Sequence, residues 1–312
     1  MKQTNIAEIN LKGIKQSYEE NKNILALLRR VTGKDTNDQV AIQLSYDLQA
    51  GSYVEAMKSP DYADFKSRSS KEMASIFSEL SPSSILEAGV GEASCLAGVI
   101  RACSDFKNIS FSGFDLSWSR CLYARNYIFE ALGIEIPIFV GGLESIPMQT
   151  SSIDLVYTAH AIEPNYGRER EILRELYRVA QRYVVLFEPA YEFTTDEIRA
   201  RMNEHGYCRG LADIAIGEGW RVLWHRLAEV RLESNPTAVL VIEKSKERVP
   251  AKDAPGCPRC YRPLVHAHGH YFCTGEGLVY PAIRGIPCLL PGHAIIANKF
   301  LVEFGGTGNA EL

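Results

Sequence analysis

Apolar and aromatic positions in the first 80 residues recur at the three- and four-residue spacing of a helix and show no strand-like alternation. They include Ile14, Tyr18, Ile24, Leu27 and Leu28. Stretches that contain glycine or proline interrupt this pattern at residues 32–35 and 59–61. The pattern predicts a helical N-terminal region over residues 1–80, within which residues 46–53 are rich in aromatic and polar side chains.

From residue 84 the pattern changes to short apolar runs that alternate with helical segments. We expect strands at 85–86, 109–114, 136–140, 153–157 and 183–187, and helices near 93–103, 117–132, 168–179 and 195–205. Two further strands, 221–230 and 238–243, are joined by a tight link, which requires antiparallel pairing. The sequence therefore predicts an α/β fold with a mostly parallel seven-stranded sheet covered by helices on both faces.

Composition and charge narrow the class of protein. The 312 residues, 46% of them apolar, suffice for one large domain with a small one attached. Lys and Arg total 34 against 38 Asp and Glu, and acidic residues interrupt the basic clusters, which disfavours a nucleic-acid partner. No apolar run reaches the roughly 18 residues of a membrane span, and the N-terminus lacks the apolar stretch of a signal peptide. We therefore expect a cytoplasmic protein without a membrane partner, and we leave a homodimer open.

A glycine-bearing turn follows the first strand of the predicted sheet. Gly89 and Gly91 let the chain turn sharply and let a ligand approach the backbone, with Glu87 close by to accept a hydrogen bond from an ammonium group. Asp115 ends the second strand, 24 residues after Gly91, where a carboxylate can accept both hydroxyls of an adenosine ribose. The alternative for the glycines is an ordinary strand-to-helix turn without a ligand. The alternative for Asp115 is a helix N-cap, although Ser117 already offers that role.

These motifs, taken in order, resemble those of class I S-adenosylmethionine-dependent methyltransferases over about residues 84–244. Residues 87–91, 114–117, 140–147 and 153–157 correspond to four successive motifs of that family. The resemblance implies a Rossmann-like fold, S-adenosyl-L-methionine as cofactor, and a methionine end held at the glycine turn with the ribose held by Asp115. The implied cofactor-binding residues are Glu87, Ala88, Gly89, Gly91, Asp115, Leu116, Gly142, Leu143, Glu144 and His160.

Two positions bear on which cofactor is bound. Gly142 stands where many members of that family carry an aspartate that binds the adenine amino group, so adenine recognition is expected to depend on backbone groups. NAD is the competing cofactor, but its Gly-x-Gly-x-x-Gly fingerprint has Ser94 in the third glycine position here. A dinucleotide-dependent dehydrogenase is therefore the weaker alternative.

An acceptor is expected at the loops after the fourth and fifth strands, because ligands bind beyond the carboxyl ends of strands in open α/β sheets. His160 is a candidate catalytic base with Glu163 nearby, although lining the methionine pocket or simple packing explains His160 equally well. Glu188 is interpreted as a loop-capping carboxylate. Residues 46–53, with Tyr46 as a candidate catalytic side chain, are expected to form a lid that excludes water, or to pack the N-terminal helices onto the sheet.

The eight cysteines divide into two groups. Four lie among apolar neighbours and are expected to be reduced core residues: Cys95, Cys103, Cys121 and Cys208. The others crowd into the last fifth of the chain, where the two-residue spacing of the first pair predicts a zinc knuckle. The predicted ligands are Cys257, Cys260, Cys273 and Cys288, with Glu276, His266, His268 or His270 as alternatives for the fourth.

Residues 255–291 resemble a short bacterial family and are similar to the eukaryotic zinc-binding activator subunit of several RNA and translation-factor methyltransferases. Residues 280–281, Tyr-Pro, and 285–287, Gly-Ile-Pro, carry the resemblance. It implies a zinc-ribbon-like module that covers a sheet edge or an apolar patch of the same chain. The predicted organisation is a lid region 1–80, a cofactor-binding domain 81–245, a linker 246–256 and the module with its tail, 257–312.

The leading hypothesis is a methyltransferase that acts on a small molecule or a saccharide. RNA methylation is the second hypothesis, suggested by the activator-like module and opposed by the acidic balance. A non-catalytic regulator that binds the cofactor is the third. No Asn-Pro-Pro-Tyr-like motif follows the fourth strand, which argues against exocyclic amino groups of bases and glutamine side chains as acceptors.

Overall fold

The computed structural model describes residues 9–103, 109–247 and 255–303. Its N-terminal part is helical, as predicted, and forms α1 (Leu11–Glu19), α2 (Ile24–Thr32), α3 (Gln39–Leu48), α4 (Ser52–Ala56) and α5 (Pro60–Leu80). Side chains of Asn10, Asn23 and Asp38 accept hydrogen bonds from first-turn N–H groups of α1, α2 and α3. Gly33, in a left-handed conformation, ends α2, and Pro60 begins α5, so both predicted breaks are confirmed.

The described part of the central region forms a seven-stranded sheet in the order β3-β2-β1-β4-β5-β7-β6. Its strands are β1 (Ser84–Ala88), β2 (Ser110–Asp115), β3 (Ile138–Val140), β4 (Ile153–Ala159), β5 (Ala180–Pro189), β6 (Arg221–Leu227) and β7 (Thr237–Glu243). Neighbours from β3 to β5 run parallel, whereas β7 pairs antiparallel with β5 and β6. The predicted α/β architecture and the antiparallel pairing of the last two strands are confirmed.

Helices cover both faces of the sheet because side chains alternate along each strand. They are α6 (Ser94–Ala102), α7 (Trp118–Leu132), α8 (Glu169–Val179), α9 (Asp196–His205) and α10 (Leu211–Gly217). On β4, the fully buried Leu155 belongs to the same core cluster as Phe77 of α5, while its neighbour Val156 belongs to the cluster that contains Leu173 of α8. Both faces are thus sealed, and the carboxyl ends of the parallel strands are left for a site.

The C-terminal part forms a four-stranded sheet in the order β13-β10-β9-β8 and a two-stranded hairpin, β11-β12. These elements are β8 (Val265–Ala267), β9 (His270–Cys273), β10 (Leu278–Tyr280), β11 (Ala282–Ile283), β12 (Ile286–Pro287) and β13 (Ile295–Ile296), followed by α11 (Phe300–Glu303). The N–H of Leu289 donates to the carbonyl of Val140 at 2.9 Å, so this segment lies along the outer edge of β3. Most of the predicted linker and the tail, residues 248–254 and 304–312, lie outside the described residues.

Within the described ranges, none of the helices combines the length and the apolar character that crossing a bilayer requires.

Candidate functional site

Two adjoining cavities lie at the carboxyl ends of the parallel strands. The larger has a volume of about 260 Å³ and the smaller about 80 Å³. Among the described residues, four line both cavities: Tyr46, Gly89, Arg120 and His160. The cavities are therefore two halves of one crevice. Glu87 and Gly91 face the larger half, and Asp115 faces the smaller.

The glycine turn and the end of the second strand lie in direct contact. The N–H of Gly91 donates to the Asp115 carboxylate at 2.9 Å, and the N–H of Ser117 donates to its other oxygen at 2.9 Å. A Cβ on Gly89 would lie 2.3 Å from the Cβ of Ala161, and its φ of +81° favours glycine, so no other residue fits there. The Ser117 hydroxyl caps α7 by accepting from the N–H of Arg120, which leaves Asp115 out of that role.

The carboxyl group of Glu87 lies at the buried wall of the larger cavity. The Tyr157 hydroxyl donates to it at 2.8 Å. Burial raises the pKa of Glu87 to about 8, and the Tyr157 hydrogen bond only partly offsets this. Such a group ionises readily when an ammonium group arrives beside it.

The smaller cavity is lined by four further residues predicted to bind the cofactor: Leu116, Gly142, Leu143 and Glu144. The Glu144 carboxylate forms an ion pair with Arg168. Ala88 corrects the prediction, because its methyl group is fully buried in the core beneath the turn and lines neither cavity.

Gly142 is backed by two side chains that the sequence did not identify. A Cβ at this position would lie 3.0 Å from Nε2 of Gln39 in α3 and 3.3 Å from Cδ2 of Leu290. The space that an aspartate side chain would need is thus occupied, and the Gln39 amide stands in its place. The Gln39 amide therefore lies beside Gly142 in addition to the backbone groups of this loop.

His160 forms a hydrogen-bonded chain at the junction of the two cavities. Its Nδ1 lies 2.5 Å from Glu163 Oε2, and its Nε2 lies 2.8 Å from the Thr237 hydroxyl. Burial alone would lower the pKa of His160, but the hydrogen bond and charge of Glu163 outweigh it and raise the pKa. The His160 backbone has a φ of +57°, so the loop holds this ring in a left-handed conformation that is uncommon for residues other than glycine.

Glu188, at the end of β5, closes the loop that carries His160. Its carboxylate accepts the N–H groups of Ala161, Ile162 and Glu163, each at 3.0 Å. Burial raises the pKa of Glu188 to about 7, and the His160 charge and these donors oppose the rise. The loop-capping interpretation of Glu188 agrees with these contacts.

The helices α3 and α4 cover the crevice and are tied to its floor. The Glu92 carboxylate accepts the N–H groups of Gly51 and Val54 at 2.9 and 2.7 Å, which joins the α4 end to the glycine turn. The Asp47 carboxylate accepts from the Ser117 hydroxyl at 2.6 Å. Residues 46–53 therefore occupy the position expected of a lid, and Tyr46, with a pKa that burial raises far above its ordinary value, keeps its hydroxyl proton.

The remaining wall of the larger cavity comes from one face of α5 and from the loop between β6 and β7. The side chains are Tyr62, Phe65, Lys66, Ser69 and Met73 of α5, together with Val230, Leu232, Asn235 and Thr237. This wall combines aromatic surface with an ammonium group, a hydroxyl group and an amide.

Besides Gln39, the residues of the site that sequence reasoning missed include Lys66, Glu92 and Arg120. For Lys66 there was a signal, because it shares a helical stripe with Tyr62 and Ser69. Arg120 also had one, since it precedes the buried Ala124 and Ile128 by four and eight residues on the inner face of α7. Glu92 carried no such signal, because its partners on α4 are determined by the tertiary fold.

All eight cysteines lie within the described residues, and none forms a disulfide. The four predicted core cysteines are buried. The sulfur atoms of Cys257, Cys260 and Cys273 lie within 4.8 Å of one another, close enough to share one metal ion. The Tyr280 hydroxyl lies 3.5 Å from the sulfur of Cys257.

Cys288 corrects the predicted ligand set. It is buried against Ile138, Val140 and Ile286 at the β3 edge, apart from the other three sulfur atoms. Its thiol donates to the Ile286 carbonyl, and apolar packing explains its position. The Glu276 carboxylate, one of the alternative fourth ligands, lies 3.5 Å from Arg259 and is not part of this cluster of three sulfur atoms.

No protein-family model and no curated protein matches the chain. Solved structures are similar in fold. One is a magnesium protoporphyrin IX methyltransferase from Synechocystis PCC 6803 with bound SAH, at 13% identity over 67% of this chain and 100% of that one, with a TM-score of 0.51. A second is a protein described as an S-adenosyl-L-methionine-dependent methyltransferase from Methanococcus maripaludis, at 14% identity over 65% of this chain and 95% of that one, with a TM-score of 0.46. A third is a protein described as a sarcosine dimethylglycine methyltransferase from Galdieria sulphuraria, at 15% identity over 57% of this chain and 86% of that one, with a TM-score of 0.45. The chain has the fold of class I S-adenosylmethionine-dependent methyltransferases.

Proposed function

We propose that this protein is an S-adenosyl-L-methionine-dependent methyltransferase that acts on a small polar molecule or a saccharide. The observation that carries the proposal is the single crevice in which the glycine turn contacts Asp115. This geometry matches a ligand with an amino acid at one end and an adenosine at the other. The fold supports the same cofactor class, and the free cysteines suit a cytoplasmic protein.

We assign each residue to a part of the cofactor according to the cavity that the residue lines. Glu87 accepts from the methionine ammonium group in the larger cavity, and Asp115 accepts the ribose hydroxyls at the junction. Leu143 and Gln39 enclose the adenine in the smaller cavity. The lid helices α3 and α4 then exclude water from the reacting atoms.

The cofactor supplies an activated methyl group on a sulfonium sulfur, so the protein contributes mainly alignment. His160 would take a proton from the acceptor at Nε2, the nitrogen that now contacts the Thr237 hydroxyl, while Glu163 orients the ring through Nδ1 and stabilises the charged form. Because Glu163 raises the pKa of His160, the base form predominates only toward the alkaline side of the usual imidazole range. The acceptor would lie against α5 and the β6–β7 loop.

The two alternatives remain distinguishable. RNA methylation is disfavoured by the net charge of −4, and salt-dependent RNA binding would support it. A regulator that binds the cofactor without turnover would bind S-adenosylhomocysteine but consume no S-adenosylmethionine with any acceptor fraction. The C-terminal part, in this proposal, holds zinc through Cys257, Cys260 and Cys273 as a structural metal.

Titration calorimetry with S-adenosylhomocysteine tests the cofactor assignment. We expect binding by the wild-type protein and a loss of roughly 10- to 100-fold in affinity for Asp115→Ala, because the ribose hydroxyls lose a charged partner. Glu130→Ala, an exposed carboxylate on α7, is the matched control and should bind like the wild type. Unchanged affinity in Asp115→Ala would reject the ribose assignment, and no binding at all would reject the proposed function.

A further inference from the structure

Arg120 is a buried cation at the junction of the two cavities. Its residue is only 5% exposed, and it lines both halves of the crevice. Its Nε donates to the Tyr46 carbonyl at 3.1 Å. Its Nη2 is buried and has no hydrogen-bond partner among the described residues. A buried donor without a partner is costly, so this nitrogen points to a ligand that accepts from it.

The surroundings of Arg120 lack a direct counter-charge. Among the described residues, no carboxylate forms an ion pair with its guanidinium group. The charge of Asp115 acts on it from farther away, and the Glu92 carboxylate, on the same cavity, accepts the N–H groups of Gly51 and Val54. The guanidinium carbon lies 4.6 Å from the ring centre of Tyr46 and 5.0 Å from that of Tyr53. The cation is thus held between two lid rings and open toward the cavities.

We propose that Arg120 binds the carboxylate of the cofactor's methionine moiety, an inference that rests on the proposed function. The planar guanidinium group offers paired N–H donors that match a carboxylate. Its Nη1 lies 3.7 Å from the position that a Cβ on Gly91 would take, so it stands beside the turn that receives the amino-acid end. Glu87 and Arg120 then hold the ammonium and carboxylate groups from two sides.

Lys66 is the other cation on the larger cavity, and its position argues for a different role. Lys66 lines the larger cavity but not the smaller one, and it belongs to the α5 wall. Its ammonium group lies 5.8 Å from the ring centre of Tyr62. Arg120 reaches both cavities and the glycine turn, whereas Lys66 faces the side assigned to the acceptor. The geometry therefore favours Arg120 for the carboxylate.

This assignment couples the cofactor to the lid. Tyr46 contacts Arg120 through both its ring and its carbonyl, and the ring of Tyr53 lies near the same guanidinium group. A carboxylate that fixes the guanidinium group also fixes the surface on which these two rings lie. Loss of the carboxylate should therefore weaken both binding and lid closure.

The test compares S-adenosylhomocysteine with 5′-deoxy-5′-(3-aminopropylthio)adenosine, which lacks only the carboxylate, by titration calorimetry. The wild-type protein should bind the complete ligand roughly 10- to 100-fold more tightly, and Arg120→Met should bind both about equally. Arg125→Met, on the same helix but outside both cavities, and Lys66→Met should keep the preference. Hydrogen exchange at Gly51 and Val54 should slow with the complete ligand and less with its analogue.

Equal binding of the two ligands by the wild-type protein would overturn the assignment without any variant, so a misfolded Arg120→Met protein cannot obscure the result. Loss of the preference in Lys66→Met, with Arg120→Met unchanged, would transfer the role to Lys66. In either case binding of S-adenosylhomocysteine would leave the proposed function intact. If the wild-type protein bound neither ligand, the proposed function itself would fail.

Discussion

At the scale of single residues, the site depends on buried charged groups whose partners are supplied by a ligand. Glu87 shows this most clearly, because burial leaves its carboxyl group with a pKa of about 8. Asp115 differs from Glu87: burial raises the pKa of its carboxyl group, but the charge of Arg120 and backbone N–H donors oppose this rise. The two carboxyl groups are therefore prepared for different partners, an ammonium group and neutral hydroxyl groups.

Glu87 makes cofactor binding dependent on pH. Below pH 8 the free protein holds a proton on Glu87, and a bound ammonium group favours the ionised form, so binding near pH 7 should release close to one proton. The affinity for S-adenosylhomocysteine should rise by up to about tenfold per pH unit between pH 6 and 8 and then level off. Calorimetry in buffers of different ionisation enthalpy measures the proton directly. A proton release that persists in Glu87→Gln would refute this account.

Gln39 should contribute to selection of the adenine base. Its amide occupies the place of the aspartate that Gly142 lacks, so Gln39→Ala should narrow the preference for S-adenosylhomocysteine over S-inosylhomocysteine by several-fold to about tenfold. Gln49→Ala, at the C-terminal end of the same helix and outside both cavities, is the control. An unchanged preference in Gln39→Ala would leave recognition to the backbone.

At the level of residues, the sequence could predict which positions lie at the carboxyl ends of the strands where a motif determines the backbone geometry. Gly89, Gly91 and Asp115 were identified because a tight turn and a strand end leave few alternatives. Arg120 and Gln39 were not, since their roles depend on which elements pack over the crevice. No spacing along the chain shows that α3 will lie beside Gly142.

At the scale of elements, the lid is attached to the sheet by a few polar contacts. Glu92 joins α4 to the glycine turn, and Asp47 and Gln43 join α3 to the loop after β2. These contacts lie beside the cofactor site, so ligand binding and lid closure share the same loop. Lid opening is then the natural route for exchange of cofactor and product.

Removal of the Glu92 carboxylate should release the lid. In Glu92→Ala we expect the amides of Gly51 and Val54 to exchange with solvent roughly 10- to 100-fold faster, because both lose a charged acceptor. The exposed Glu55→Ala on the same helix is the matched control. Hydrogen exchange read by mass spectrometry checks this, and equal protection in both variants would contradict the tethering role.

Element boundaries followed the apolar pattern closely in the central domain. The predicted helix 117–132 is α7, Trp118–Leu132, and the predicted antiparallel pair is β6 and β7. The short helix α10, Leu211–Gly217, was missed, because seven residues between glycines carry too little periodicity. The parallel sheet was predictable because short runs dominated by apolar residues alternate with helical segments along the chain.

At the scale of the whole molecule, the C-terminal part is packed onto the seven-stranded α/β domain. Residues 286–290 follow the edge of β3, and Tyr261 packs its ring under Arg178 of α8 at 3.7 Å. The expected coverage of a sheet edge is therefore seen in the structure. Leu290 also lies beside Gly142, so this part backs a residue that lines the smaller cavity.

A bound zinc ion should stabilise the whole chain. If Cys257, Cys260 and Cys273 hold zinc, Cys260→Ser should lower the zinc content and reduce Tm by on the order of 5 °C or more. Cys288→Ser should keep the zinc, because this thiol lies apart from the cluster. Elemental analysis and thermal unfolding distinguish the two variants. If the full-length protein contained no zinc and its Tm were unchanged after chelation, the proposed zinc site would be refuted.

The sequence could not place the fourth cysteine, for a physical reason. A cysteine whose thiol packs against apolar side chains and a cysteine whose thiolate binds a metal are the same residue type in the sequence, and their neighbours along the chain are similar. Only the path of residues 282–290 along β3 separates Cys288 from the knuckle.

The most direct measurement of the central claim is a crystal structure of the protein with S-adenosylhomocysteine. We predict one ligand that spans both cavities, with its adenine beside Leu143 and Gln39, its ribose hydroxyls on Asp115 and its ammonium group on Glu87. A ligand confined to one cavity, or a ribose turned away from Asp115, would contradict the account.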